Sequence, residues 1–141
     1  MMTTTKRKPI LLAAAAVLAL VMCLAIILPT DRQLIATAST HDNIQSLTAD
    51  APKLEGGRRL RFAAYDADCG MVQLCFSVKK NDHALWQGKD IAITVNGTAV
   101  ETWNHFTHST WKRDYFNFLL ENVAPGAQIT FTYHGQTITI E

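Results

Sequence analysis

An unbroken apolar run, Ile10 to Leu28 (ILLAAAAVLALVMCLAIIL), constrains this chain more than any other feature, since it holds no charge, no Gly and no Pro. A helix rising about 1.5 Å per residue over that run is roughly 28 Å long, close to the roughly 30 Å of a bilayer's hydrocarbon core. A single span must pair its backbone groups internally, which leaves a helix as its form. Pro9 and Pro29 flank the run, one where a helix starts and one where it stops. Lys6-Arg7-Lys8 precedes it and no such basic excess follows, which predicts the N-terminus inside the cell and the C-terminus outside. Ala36-Thr37-Ala38 offers a competing reading, a signal peptide cleaved after Ala38. The apolar run is longer than an h-region of about 7–15 residues, so a retained anchor is favoured. Either way the rest of the chain is exported.

The expected division is a basic cytoplasmic tail over 1–9, a transmembrane signal anchor over 10–28, a stalk over 29–43 and one folded domain over 44–141. A tail of that length is too short to fold, so no intracellular effector domain is expected. Hydrophobic residues make up 48% of the chain and charged ones 18%. Much of that apolar excess lies in the anchor, so the exported part reads as an ordinary soluble domain. Of the net charge of +1, the three basic residues of the tail supply +3, which leaves the exported part slightly acidic. That balance gives no electrostatic case for nucleic acid.

From Arg58 onward, period-2 alternation recurs. Leu60, Phe62 and Ala64 alternate with Arg59, Arg61 and Ala63. Val72, Leu74, Phe76 and Val78 alternate with Gln73, Cys75 and Ser77. Ile91, Ile93 and Val95 run into Asn96-Gly97, the strongest short hairpin signal. Tyr115 to Leu119, Ile129 to Tyr133 and Thr137 to Ile140 read as further strands, with Pro125-Gly126 and His134-Gly135 as turns. A first strand is expected around Ile44 to Thr48. The predicted fold is all-β, an antiparallel β-sandwich of seven or eight strands behind one transmembrane helix.

Ala63 to Val78 (AAYDADCGMVQLCFSV) resembles the second and third strands of bacterial immunoglobulin-like domains. Leu120 to Phe131 (LENVAPGAQITF) is similar to the Pro-Gly corner before the penultimate strand of fibronectin type III-like modules. Together they cover about a third of the domain. Cys69 departs from the pattern, occupying a turn place where a polar residue or Gly is usual, and Trp103 to Arg113 has no counterpart. The resemblance implies an immunoglobulin-like sandwich in an extracellular setting and no activity of its own. The ectodomains of Gram-positive anti-sigma proteins offer a second likeness, although the cytoplasmic sigma-binding part of those proteins is not expected here.

No catalytic constellation emerges, and no enzymatic activity or cofactor is expected. Asp66-x-Asp68-x-Gly70 has too few oxygen ligands for a calcium loop and reads as an Asx-type turn. His105-x-x-His108 finds no further ligands for zinc among the scattered His41, His83 and His134. Ser109, His108 and Asp114 are only a local collection, because strand neighbours point to opposite faces. Cys69 and Cys75 lie too far apart along an extended chain for a disulfide, about 15–20 Å at about 3.3 Å per residue. Cys75 is expected to be a buried thiol.

The stretch Trp103 to Tyr115 (WNHFTHSTWKRDY) gathers aromatic, histidine and basic residues in what reads as an inter-strand connection. Trp103, His105, Phe106, His108 and Trp111 are the candidate binding residues, since exposed aromatic rings suit stacking on sugars or anchoring a partner. For Trp103 and Trp111 the favoured reading is instead a core or half-core role, in which they end adjacent strands and fill the sandwich. The leading expectation is a membrane-anchored binding module that contacts a protein or glycan at the cell surface. The alternatives are a sensor or accessory subunit of a larger membrane partner, and an inhibitor secreted after cleavage near Ala38.

Overall fold

The computed structural model describes residues 7–87 and 90–141. Residues 1–6, most of the expected basic tail, lie outside that description, as does the pair 88–89. The chain forms two compact units, Met1–Thr30 and Asp31–Glu141.

The first unit is one helix, α1 (Arg7–Ile27). It starts earlier than the apolar run because Pro9 falls in the first turn, where its missing N–H costs nothing. Its large apolar side chains between Ile10 and Leu24 are exposed. Among the described residues no helix is long and apolar enough to cross a membrane.

The described residues of the second unit form nine strands in two antiparallel sheets. They are β1 (Ile44–Leu47), β2 (Arg59–Asp66), β3 (Met71–Lys79), β4 (Ile91–Val95), β5 (Thr98–Ala99), β6 (Asn104–Ser109), β7 (Arg113–Leu120), β8 (Ile129–Tyr133) and β9 (Gln136–Ile140). A five-stranded sheet runs β1-β2-β3-β7-β6 and a four-stranded sheet β5-β4-β8-β9. This is the expected β-sandwich, with β5 as the second arm of the Asn96-Gly97 hairpin and β6 as the strand that was not predicted. The sequence NHFTHS of β6 has no apolar alternation and read as a connection; it forms a strand because β7 supplies its ladder from Asn104↔Leu119 to Ser109↔Asp114. Asn96 and Gly97, between β4 and β5, have φ of 50° and 77°, the pair of positive values that a type I′ turn demands.

Aromatic residues fill the space between the sheets. Phe76 of β3 meets Phe118 of β7 edge-on at 5.8 Å and Phe131 of β8 at 4.5 Å. Ile93, Ile129, Ile138 and Ile140 close the same cluster from the four-stranded side.

Two expectations about faces are corrected. In β2 the register shifts between Leu60 and Phe62, a β-bulge at Arg61. The extra residue reverses the alternation beyond it, so Ala63 and Tyr65 join the inter-sheet core while Phe62 packs on the outer face. The second correction concerns the stalk. Residues 31–43 belong to the folded unit, beginning with α2 (Asp31–Leu34). Leu34 is 3% exposed and packs with Cys75, Tyr115 and Phe62 on the outer face of the five-stranded sheet. Gln73 holds the segment in place: its carbonyl accepts from the Ala36 N–H at 2.8 Å, and its amide donates to the Leu34 carbonyl at 2.8 Å and to Asn117 Oδ1 at 2.7 Å. Gln73 and Asn117 look solvent-facing in sequence, yet both are buried. The segment above them satisfies their polar groups, which is what makes burial affordable. Burial pushes the Cys75 thiol beneath it up to about 12.

Candidate functional site

The candidate face is built by the β6–β7 hairpin and the docked segment beside it. Outward positions on β7 are Arg113, Tyr115 and Asn117, and the β6 register places Phe106 opposite Asn117 and His108 opposite Tyr115. Phe106 and His108 therefore share this face. With Arg32 to Ala36, Ala38 and Ser39 they line a shallow groove of about 380 Å³ between the edge strand and the docked segment. The His108 and Tyr115 rings lie 6.4 Å apart.

The five residues predicted for binding do not form one cluster. Phe106 and His108 line the groove. His105 falls on the opposite side of β6 by strand alternation. Trp103 is half-buried against the inter-sheet core, with its ring 6.5 Å from Phe118, which fits the core reading. Trp111 sits at the hairpin tip and is 70% exposed, against that reading. Thr110 braces that tip, exchanging bonds with the Arg113 N–H and carbonyl at 3.0 and 2.8 Å.

Sequence reading missed the arginines. Arg59, Arg61 and Arg113 line one open depression of about 570 Å³ with Asp31, Gly57, Ser77 and Tyr115. They come from the starts of β2 and β7, far apart in sequence, and alternation after the inward Leu60 leaves Arg61 on the outer face. Arg61 pairs with Asp31 at 2.6 Å and lies over the Tyr115 ring at 4.8 Å. Arg113 donates from Nε to Ser77 Oγ at 2.7 Å. The one signal in the sequence was Arg59-x-Arg61 at strand spacing. Guanidinium groups held this way present flat, forked donors to carboxylate, sulfate or phosphate groups.

His108, Ser109 and Asp114 do not converge on this hairpin. Asp114, opposite Ser109, is buried and accepts from Lys80 Nζ and the Asn81 N–H, both at 2.9 Å, as well as from the Ser109 side chain. His108 and Ser109, adjacent on a strand, face opposite ways. A comparison of the chain with known protein families, curated proteins and solved structures finds no match.

Proposed function

We infer that this protein is a membrane-anchored, immunoglobulin-like binding module that engages a protein or glycan on the outer side of the membrane through its β6–β7 hairpin. The observation that carries the reading is Trp111, a large aromatic ring held in solvent two residues from Arg113. An exposed Trp within two residues of an Arg is the composition of an interface anchor.

Strand order supports the fold assignment. The series β2-β3-β7-β6 facing β5-β4-β8-β9 corresponds to A-B-E-D facing C′-C-F-G of immunoglobulin domains, with β1 added beside the first strand. On this correspondence the hairpin tip with Trp111 is the D–E loop.

Support for the anchor is the sequence of Ile10–Leu28, an apolar run without charge, Gly or Pro and of a length that matches a bilayer's hydrocarbon core. Cleavage after Ala38 is disfavoured, since it would strip Leu34 and both backbone partners of Gln73 from the folded unit.

The test has two arms. Protease added to intact cells is expected to degrade the C-terminal domain; a domain left untouched until lysis overturns the location. In the second arm, the full chain in detergent is offered cell-envelope proteins and a glycan array. Trp111→Ala is expected to weaken retention of whatever ligand binds by tenfold or more, about 1.4 kcal/mol, with an unchanged melting temperature. Undiminished binding by Trp111→Ala and by Phe106→Ala removes the hairpin from the site.

A further inference from the structure

The turn between β2 and β3 meets the docked segment at a cluster of mixed donors that neither the β6–β7 hairpin nor the anchor uses. His41 Nδ1 lies 2.8 Å from Asp66 Oδ2. Cys69 is exposed, and its Sγ completes a trio with His41 and Asp66 in which all donor atoms lie within 4.8 Å of one another. Sequence reading placed His41 on a separate loop, because it took residues 29–43 as a free stalk.

The geometry points to a binding site for a zinc-class divalent transition metal formed by His41, Asp66 and Cys69. One nitrogen, one oxygen and one sulfur donor suit a borderline metal, while a sulfur ligand disfavours calcium and magnesium. Three protein ligands leave a coordination position open on the solvent side, where Cys69 is exposed.

Asp66, only 2% exposed, is oriented before any metal arrives. Its Oδ1 accepts from the Asp68 N–H at 3.0 Å, and its Oδ2 accepts from the Thr37 hydroxyl. Supporting bonds of this kind hold a metal-ligating carboxylate in place. Burial opposes its ionisation, but the bonds from Thr37, His41 and Asp68 prevail and bring its pKa to about 2. Loss of some of its hydration, and then the hydrogen bond and charge of the adjacent Asp66 carboxylate, raise the Cys69 thiol pKa. That makes Cys69 a poor free nucleophile, whereas a bound dication deprotonates the thiol and screens it from the carboxylate.

Tetrahedral ligands at about 2.0–2.3 Å from zinc stand roughly 3.3–3.7 Å from each other. His41 and Asp66 are already nearer than that. Cys69 needs a rotation of an exposed side chain to close. His41 would exchange its bond to Asp66 for the metal at the same Nδ1 atom.

Cobalt(II) gives the test, on the full chain in detergent, stripped with chelator and kept reduced by a non-thiol reductant. One equivalent of cobalt is expected to bind with tetrahedral d–d bands and a thiolate-to-cobalt charge-transfer band in the near ultraviolet, and zinc is expected to displace it. Cys69→Ser is expected to abolish the charge-transfer band, and His41→Ala to weaken binding at least tenfold. Cys23→Ser and His105→Ala should leave the spectrum unchanged. Cys69→Ser alters only an exposed turn side chain, so its folding, checked by circular dichroism, is not at risk. Failure to take up cobalt stoichiometrically, a spectrum without the thiolate band, or a band that survives Cys69→Ser overturns the site and leaves the trio as a hydrogen-bonded turn. The binding reading of the hairpin is untouched by either result.

Discussion

Phe76→Ala is expected to cost about 3–5 kcal/mol and to leave much of the protein unfolded at ambient temperature. The side chain is 0% exposed at the centre of the sandwich, in contact with Phe118 from its own sheet and Phe131 from the other. Its removal deletes the apolar area and opens a cavity that two sheets, pinned by their ladders, cannot close. Domains of this size are stable by only about 5–15 kcal/mol, so the loss is a large share of the total. Urea titration followed by tryptophan fluorescence measures it. A midpoint within error of the parent's would mean that these rings do not form the principal core.

Asp114→Ala is expected to be nearly as damaging, at about 2–3 kcal/mol, because the hydrogen bonds that the buried carboxylate accepts from Lys80 and from the Asn81 N–H are lost together. Asp114 stands at the start of β7, almost fully buried, and accepts from Lys80 and from the Asn81 N–H. Burial alone would raise its pKa, but the bonds from Lys80, Asn81 and Ser109 outweigh burial and hold it below the ordinary carboxylate value. The sign of the pH effect follows. A carboxylate with a depressed folded pKa contributes stability fully above its unfolded value near 3.9 and loses it as pH falls through the folded value. Acid unfolding of the parent should therefore steepen below about pH 4, and Asp114→Ala should flatten that limb. An identical acid limb in the two proteins would show that the ion pair contributes nothing.

Much of the sandwich was legible because half-buried strands write their faces as period-2 alternation. Val72 to Val78 is the clearest case, and Asn96-Gly97 and His134-Gly135 mark hairpins whose residues all have positive φ. What escaped notice has a common physical origin, in contacts between residues remote in sequence. Nothing in NHFTHS shows that Tyr115–Leu119 will template it as β6. Leu34 and Ile35 form a short apolar pair without periodicity in a polar segment, and only the gap over Cys75 and Tyr115 explains where Leu34 goes. The binding stretch was found by composition, but composition cannot tell which side of a strand a residue takes. Phe106 and Trp111 thus emerged on accessible surface, while Trp103 turned to the core. The arginine depression needed three strands in register before it existed.

The bulge at Arg61 also makes β2 tolerant of a change in length. Taking Arg61 out would let Leu60 and Phe62, already opposite Phe76 and Cys75, follow one another in regular alternation. Every side chain from Phe62 to Asp66 would keep its present direction, and the shortened protein would lose its Asp31 partner and one wall of the arginine depression. Excising Ala63 instead would turn Phe62 or Ala64 toward the wrong layer. Arg61 is thus a spacer whose removal separates surface chemistry from architecture, a single-codon deletion that should silence one without dismantling the other.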